Sequence, residues 1–106
     1  MEPNLNYIKK LAAGDRSFEE KFIQILKKEF PLEEAEYIHN ISEKNLDEAA
    51  LNVHKLKHKF SILGLEEDYE LAVKHEEALQ EGNTVWEKDF IRTLVKVEDF
   101  IKTIQV

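Results

Sequence analysis

His54 and Lys57 are the residues whose types and spacing suggest chemistry. Residues three apart on a helix lie on the same side, one turn from each other. A neutral imidazole has a nucleophilic nitrogen, and an ordinary histidine is mostly neutral near pH 7. A phosphoryl group on that nitrogen would be strongly negative, and a lysine ammonium offers it a compact positive charge with three donors. The pair therefore predicts a phosphohistidine at His54 that is stabilised by Lys57.

The segment around His54 has the periodicity of an amphipathic helix. Its apolar residues fall on one stripe, namely Leu46, Ala49, Val53, Leu56, Phe60 and Leu63. His54 projects about 100° away from Val53 and is expected to be exposed. Ala50, one turn before His54, is small, which we expect to leave access to the imidazole.

The longer pattern resembles the signature of the histidine-containing phosphotransfer (HPt) domain family. That signature is a histidine, a leucine two residues later, a lysine three residues later, and an aliphatic-glycine pair nine and ten residues later. The matching residues are His54, Leu56, Lys57, Leu63 and Gly64. The segment 76–79 followed by Gly82 also resembles the fourth-helix pattern of this family.

The resemblance implies a phosphoryl carrier in a two-component phosphorelay. HPt domains are helical bundles that accept a phosphoryl group from an aspartyl phosphate of a receiver domain and pass it to another receiver. The implied partners are response-regulator receiver domains and a hybrid sensor histidine kinase. The partner receiver supplies the Mg²⁺, and the chain itself is expected to bind no cofactor and to have no autonomous kinase activity.

One position departs from the family pattern. His58 stands directly after the motif lysine, where HPt domains usually have glycine or another small residue. Its side chain is expected either to crowd an approaching receiver or to hydrogen-bond the phosphate. The residues expected to form the docking surface around the phosphoacceptor are Ala50, Leu51, His58, Ser61 and Ile62, with Leu51 and Ile62 as an apolar rim.

Three alternative interpretations of these residues are open. In the first, the chain is a helical adaptor that binds receivers without being phosphorylated. In the second, which ranks below the adaptor, the chain is an autonomous enzyme, although no phosphate-binding glycine loop or nucleophile triad is present. His54 and His58 have the spacing for a divalent metal, but no second pair of strong ligands is evident. Lys55 and Lys59 point away from His54 and are expected to be solvated.

Three further ionisable residues are assigned structural or surface positions. His39 and His75 lie on other predicted helices and are expected at the surface. Glu76 falls within the apolar stripe of the fourth helix. A carboxylate there needs partners, so we expect it to bond a neighbouring helix end or a lysine.

Composition limits the classes of function. The chain has 106 residues, 42% hydrophobic and 35% charged, with a net charge of −7 and no cysteine. We expect one domain over residues 1–106 and a monomer. We expect no nucleic-acid binding, because contacts with phosphate dominate that affinity and this chain is acidic. No apolar run reaches the roughly 18 residues needed to span a bilayer, and the first residues lack signal-peptide order. We therefore expect a cytoplasmic protein.

The periodicities predict the elements that position His54. Five helices are expected, over about 4–13, 17–42, 46–63, 66–81 and 85–104. We predict an all-α fold, an antiparallel four-helix bundle with a short additional N-terminal helix. Glycines 14, 64 and 82 should follow helix ends in the left-handed conformation, capping boxes begin at Ser17, Asn45 and Thr84, and Pro31 should kink or split the second helix. The apolar side of that helix is predicted as Phe18, Phe22, Ile25, Leu26 and Phe30.

Overall fold

Five helices account for the regular structure in the computed structural model, which describes residues 1–105. They are α1 (Asn6–Ala12), α2 (Arg16–Ser42), α3 (Leu46–Ile62), α4 (Glu66–Gln80) and α5 (Glu87–Thr103). Over these residues the prediction of an all-α fold with five helices is confirmed. None of the helices formed by residues 1–105 combines the length and the apolar character needed to cross a membrane.

Glycine ends α3 and α4, as predicted. Gly64 and Gly82 both have a φ of +79°, in the left-handed region. After α3, the N–H of Leu65 donates to the carbonyl of Phe60 at 2.9 Å, and the residues after α4 repeat this bond. This is the Schellman arrangement, which satisfies helix-end carbonyls and favours glycine at the left-handed position.

The predicted capping boxes are wrong. α2 begins after Asp15, whose Oδ1 accepts the N–H three residues later at 3.1 Å, so Ser17 already lies inside the helix. Asn45 precedes α3 but makes no side-chain capping bond, and α5 begins after Trp86 rather than Thr84. A carboxylate at the start of α2 accepts an otherwise unpaired N–H and also favours the helix dipole, which explains why Asp15 displaces Ser17.

The second helix begins one residue earlier than predicted and ends at the predicted residue, but a different set of its side chains is buried. It continues through Pro31 as one element of 27 residues and is not split. Phe18 and Ile25 are 42% and 55% exposed, so their assignment to the apolar core side is wrong. The buried residues of α2 are Ile23, Leu26, Phe30 and Tyr37.

The core lies between the four long helices. α2 packs against α3 and α5, α3 packs against α4, α4 packs against α5, and α1 packs against α2. The α3 stripe is buried as predicted, with Val53, Leu56 and Phe60 each at 0% exposure. Because burial of a side chain of this size stabilises a fold by about 1.5–3 kcal/mol, this stripe fixes the rotation of α3 about its axis. That rotation determines which α3 side chains face outward.

A buried polar pair joins α2 to α4. His75 is fully buried, so its assignment to the surface is wrong, whereas His39 is exposed as predicted. The hydroxyl of Tyr37 and Nε2 of His75 are 2.7 Å apart, and the ring of Phe90 lies 4.9 Å from each of the two rings. Burial lowers the pKa of His75 to about 4, which keeps its imidazole neutral inside the fold.

The segment before α1 crosses the end of α3. The N–H of Asn4 donates to the carbonyl of Leu63 at 2.9 Å. The Oδ1 of Asn4 accepts the N–H of Asn6 at 3.0 Å, at the start of α1. A Cβ on Gly64 would lie 2.7 Å from Nδ2 of Asn4, so this crossing requires a residue without a side chain.

A contact between a lysine and an aromatic ring joins the middle of α4 to the start of α5. The ammonium of Lys74 lies 5.5 Å from the ring centre of Trp86, which directly precedes α5. This distance is in the range of a cation–π interaction.

Candidate functional site

His54 faces outward from α3. Its side chain is 54% exposed, as predicted, because Val53 and Leu56 on either side of it are directed into the core. The imidazole is therefore held by a rigid helix while its outer edge is open to solvent. Such a position suits a group that must react with an atom on another molecule.

A carboxylate from α4 bridges His54 and Lys57. Oε2 of Glu76 lies 3.1 Å from Nδ1 of His54, and Oε1 lies 2.8 Å from Nζ of Lys57. The side chains of Glu76 and Lys57 are only 16% and 13% exposed. The partial burial makes this ion pair less screened than a surface pair and restricts the positions of both groups.

The structure confirms one expectation for Glu76 and adds a contact that was missed. The carboxylate does bond a lysine, Lys57, as the apolar position of Glu76 suggested. Its second bond, to His54, was not foreseen. Two features of the sequence could have predicted this contact. Glu76 is a carboxylate on the apolar side of α4, and His54 and Lys57 are basic residues one turn apart on α3 for which a carboxylate is a suitable partner.

The contact with Glu76 selects the tautomer of His54. An ionised carboxylate only accepts hydrogen bonds, so Nδ1 is the nitrogen that donates the proton. In a neutral imidazole the other nitrogen, Nε2, then has the lone pair. The geometry therefore presents a nucleophilic Nε2 and fixes the plane of the ring.

Lys57 reaches His54 only through Glu76 in this structure. Its ammonium is bonded to the carboxylate and lies 6.0 Å from the ring centre of Tyr69. The two predicted site residues, His54 and Lys57, are thus parts of one three-residue cluster. The two oxygens of one carboxylate from α4 thus hold both Nδ1 of His54 and the ammonium of Lys57.

His58 adds a second imidazole to the exposed side of the cluster. Its ring centre lies 5.2 Å from that of His54, with the two rings nearly perpendicular at 85°. The ring of Tyr69 lies 6.4 Å away on α4. His58 therefore occupies the space next to the imidazole that a glycine would leave empty.

The remaining predicted docking residues differ in accessibility. Leu51 is 58% exposed, Ser61 is exposed, and Ile62 is half-buried and packs against the core. Ala50 is only 3% exposed and belongs to the core, so its expected place on an accessible surface is wrong. The close packing of α3 against its neighbours covers this small side chain.

The two other lysines of the segment also behave differently from each other. Lys55 is exposed, as predicted. Lys59 is only 15% exposed, and its ammonium lies 3.0 Å from Glu33 and 3.6 Å from Glu29, both on α2. Lys59 is therefore an interhelical ion-pair residue and not a freely solvated charge.

No group of three or more potential metal ligands among His, Cys, Asp and Glu comes together in residues 1–105.

Comparison of the chain with protein-family models, with curated proteins and with solved structures gave no match. The function is therefore inferred from the cluster of His54, Lys57 and Glu76 and from the residue pattern around it.

Proposed function

We propose that this protein is a histidine phosphotransfer module of a two-component phosphorelay. His54 accepts a phosphoryl group from an aspartyl phosphate of a receiver domain and passes it to another receiver. The observation that carries the proposal is the bond from Nδ1 of His54 to Glu76, which leaves Nε2 nucleophilic on an exposed helix face. The resemblance of the surrounding residue pattern to HPt domains points to the same role.

The proposed step is an in-line displacement at phosphorus. The lone pair of Nε2 on His54 forms the new N–P bond, and the P–O bond to the receiver aspartate breaks. The aspartate leaves as a carboxylate with the bonding electron pair. Catalysis of such a transfer consists mainly of positioning and charge stabilisation, which a histidine on a rigid helix and a neighbouring cation supply.

Lys57 is the proposed stabiliser of the transferred charge. Its ammonium is held 2.8 Å from Glu76, on the same side of α3 as His54. Since its charge is partly shielded from water, it interacts with a nearby phosphoryl group more strongly than a fully solvated lysine would. Mg²⁺ and the reacting aspartate are contributed by the receiver, so the chain acts as a carrier without kinase activity of its own.

The proposed docking surface surrounds His54 on the outer side of α3. It consists of Leu51, His58, Ser61 and the exposed part of Ile62, with Ala50 excluded by its burial. An apolar residue beside an ionisable rim is a combination typical of recognition surfaces. The partners are response-regulator receiver domains, phosphorylated by a hybrid sensor histidine kinase, and the module acts as a monomer in the cytoplasm.

The proposed architecture for this role is an antiparallel four-helix bundle of α2 to α5. The order of contacts supports antiparallel neighbours. Along α3, Asn52 and Lys59 pair with Glu36 and Glu33 of α2, in the reverse order along the chain. In the same way, His54 contacts Glu76 whereas His58 lies near Tyr69, which comes earlier in α4.

A second candidate is a receiver-binding adaptor that is not phosphorylated. The position of His58, with its ring 5.2 Å from that of His54, favours it. A receiver that approaches Nε2 closely must accommodate this ring, and one that cannot would bind without transfer.

The discriminating experiment uses a receiver domain phosphorylated by acetyl phosphate as the donor. We expect acid-labile, alkali-stable label on the wild-type chain and none on His54→Gln, whereas His39→Gln, an exposed histidine on α2, labels normally. Lys57→Met should slow transfer by about 10- to 100-fold. Normal labelling of His54→Gln contradicts the proposal, and receiver binding without any label favours the adaptor.

A further inference from the structure

The bond between Glu76 and Nδ1 of His54 fixes the tautomer of the free imidazole, and the same carboxylate acts on the ring once it is phosphorylated. We infer that Glu76 keeps Nδ1 protonated while the phosphoryl group is on Nε2, and thereby sets the pH range over which the phosphohistidine can transfer. This inference rests on the proposed function and adds to it a positioning residue that controls the leaving group. The carboxylate is 3.1 Å from Nδ1, at hydrogen-bond distance, and belongs to a different helix from His54.

The proton on Nδ1 decides what leaves when the N–P bond breaks. When Nε2 of His54 binds phosphorus, the ring becomes a cation as long as Nδ1 remains protonated. On transfer to a receiver aspartate, the electron pair of the N–P bond returns to Nε2, and the ring leaves as neutral imidazole. If Nδ1 has lost its proton to solvent, the leaving group is an imidazolate anion, which is a much poorer leaving group. The reactive fraction of the phosphoprotein is therefore the fraction protonated at Nδ1.

Charged and titratable groups on two helices act on this proton. On α4, the Glu76 carboxylate favours the cationic ring, and Tyr69 lies farther away beside His58. On α3, the Lys57 ammonium disfavours the cationic ring, because it is bonded to the same carboxylate. The ring centre of His58 lies 5.2 Å from that of His54. An opposite charge in contact with a cationic ring favours the protonated form, so the carboxylate and the ammonium act on the Nδ1 proton in opposite directions.

The substitution Glu76→Gln tests the inference, because an amide can still accept the Nδ1 proton but has no charge. Glu77→Gln is the matched control, since it removes an equal charge from an exposed neighbour on α4. Each protein is phosphorylated with phosphoramidate, and transfer to one receiver domain with Mg²⁺ is timed from pH 5.5 to 9. We expect the falling limb of the rate for Glu76→Gln to lie at lower pH than that of wild type, and Glu77→Gln to match wild type. Nitrogen-15 NMR of the phosphorylated ring should show the same shift without any receiver.

Lys57→Met gives an independent test with the opposite sign. It frees Glu76 from its second bond and removes a cation, so the midpoint should move to higher pH even though transfer is slower. If circular dichroism shows that Glu76→Gln does not fold, Lys57→Met replaces it as the test of the inference. Coincident pH profiles for wild type, Glu76→Gln and Lys57→Met overturn the inference and leave the proposed function standing. A wild-type chain that takes no label at His54 overturns the proposed function and this inference together.

Discussion

Gly64→Ala is the substitution whose cost can be worked out most directly from the geometry. Gly64 has a φ of +79°, and an L-residue in the left-handed region costs about 1–2 kcal/mol. The new Cβ would lie 2.7 Å from Nδ2 of Asn4, so the Asn4 side chain must move. That side chain accepts the first N–H of α1 at 3.0 Å, and loss of such a capping bond costs about 1 kcal/mol. The expected destabilisation is about 2–3 kcal/mol.

Gly82→Ala is the matched control for this change. Gly82 has the same φ of +79°, but nothing lies within 4 Å of an added Cβ. Urea unfolding followed by circular dichroism should give Gly82→Ala the backbone cost alone, about 1 kcal/mol less than Gly64→Ala. In an Asn4→Ala background the two substitutions should cost the same. Equal costs in the wild-type background would refute the role given to Asn4 and would leave only backbone strain.

Three further predictions concern features away from the phosphoryl site. Because burial lowers the pKa of His75 to about 4 from an ordinary value of 6.5, the folded state disfavours its protonation. Stability should therefore be full above pH 6.5 and decline as the pH falls toward 4, and His75→Gln should flatten this part of the melting-temperature profile. Burial, and then repulsion by Glu98, raises the pKa of Glu34 from 4.5 to about 7. Stability should thus fall as the pH rises from 4.5 through 7, and Glu34→Gln should remove this loss when melting temperatures at pH 5 and pH 8 are compared. Lys59→Met, which leaves a largely buried carboxylate on α2 without its cation, should cost about 1–3 kcal/mol in urea unfolding, whereas Lys55→Met should change the stability by less than about 0.5 kcal/mol. Equal effects of the two lysine substitutions would contradict the ion pairs of Lys59.

The helices were predictable because their signals are local. Apolar spacing and the glycines that follow α3 and α4 depend on residues within a few turns of each other, and both Gly64 and Gly82 adopt the expected conformation. The rotation of α2 was not predictable in the same way. Its apolar residues cover an arc wide enough that the choice of buried residues depends on where α3 and α5 lie. As a result Phe18 and Ile25 were assigned to the core, while Ile23 and Tyr37 were overlooked.

The site was predictable in part for a similar reason. The exposure of His54 follows from its position relative to Val53 on the same helix. A helical projection of the sequence gives that position. The bond to Glu76 joins residues 22 apart in the chain, and no local pattern gives the position of α4 relative to α3. The burial of His75 likewise depends on a partner hydroxyl on α2, that of Tyr37. Polar residues that are buried because of a distant partner are the ones that periodicity misassigns.

The contact between Lys74 and Trp86 has a spectroscopic consequence. Trp86 is the only tryptophan of the chain, so its emission can be excited selectively and comes from one place, the point where α4 meets the start of α5. An ammonium near an indole ring changes the energy of the excited state, and the emission therefore responds to the position of Lys74. Lys74 and Glu76 belong to the same helix. A displacement of α4 that accompanies a new charge on His54 would thus be visible as a change in fluorescence, without any attached label.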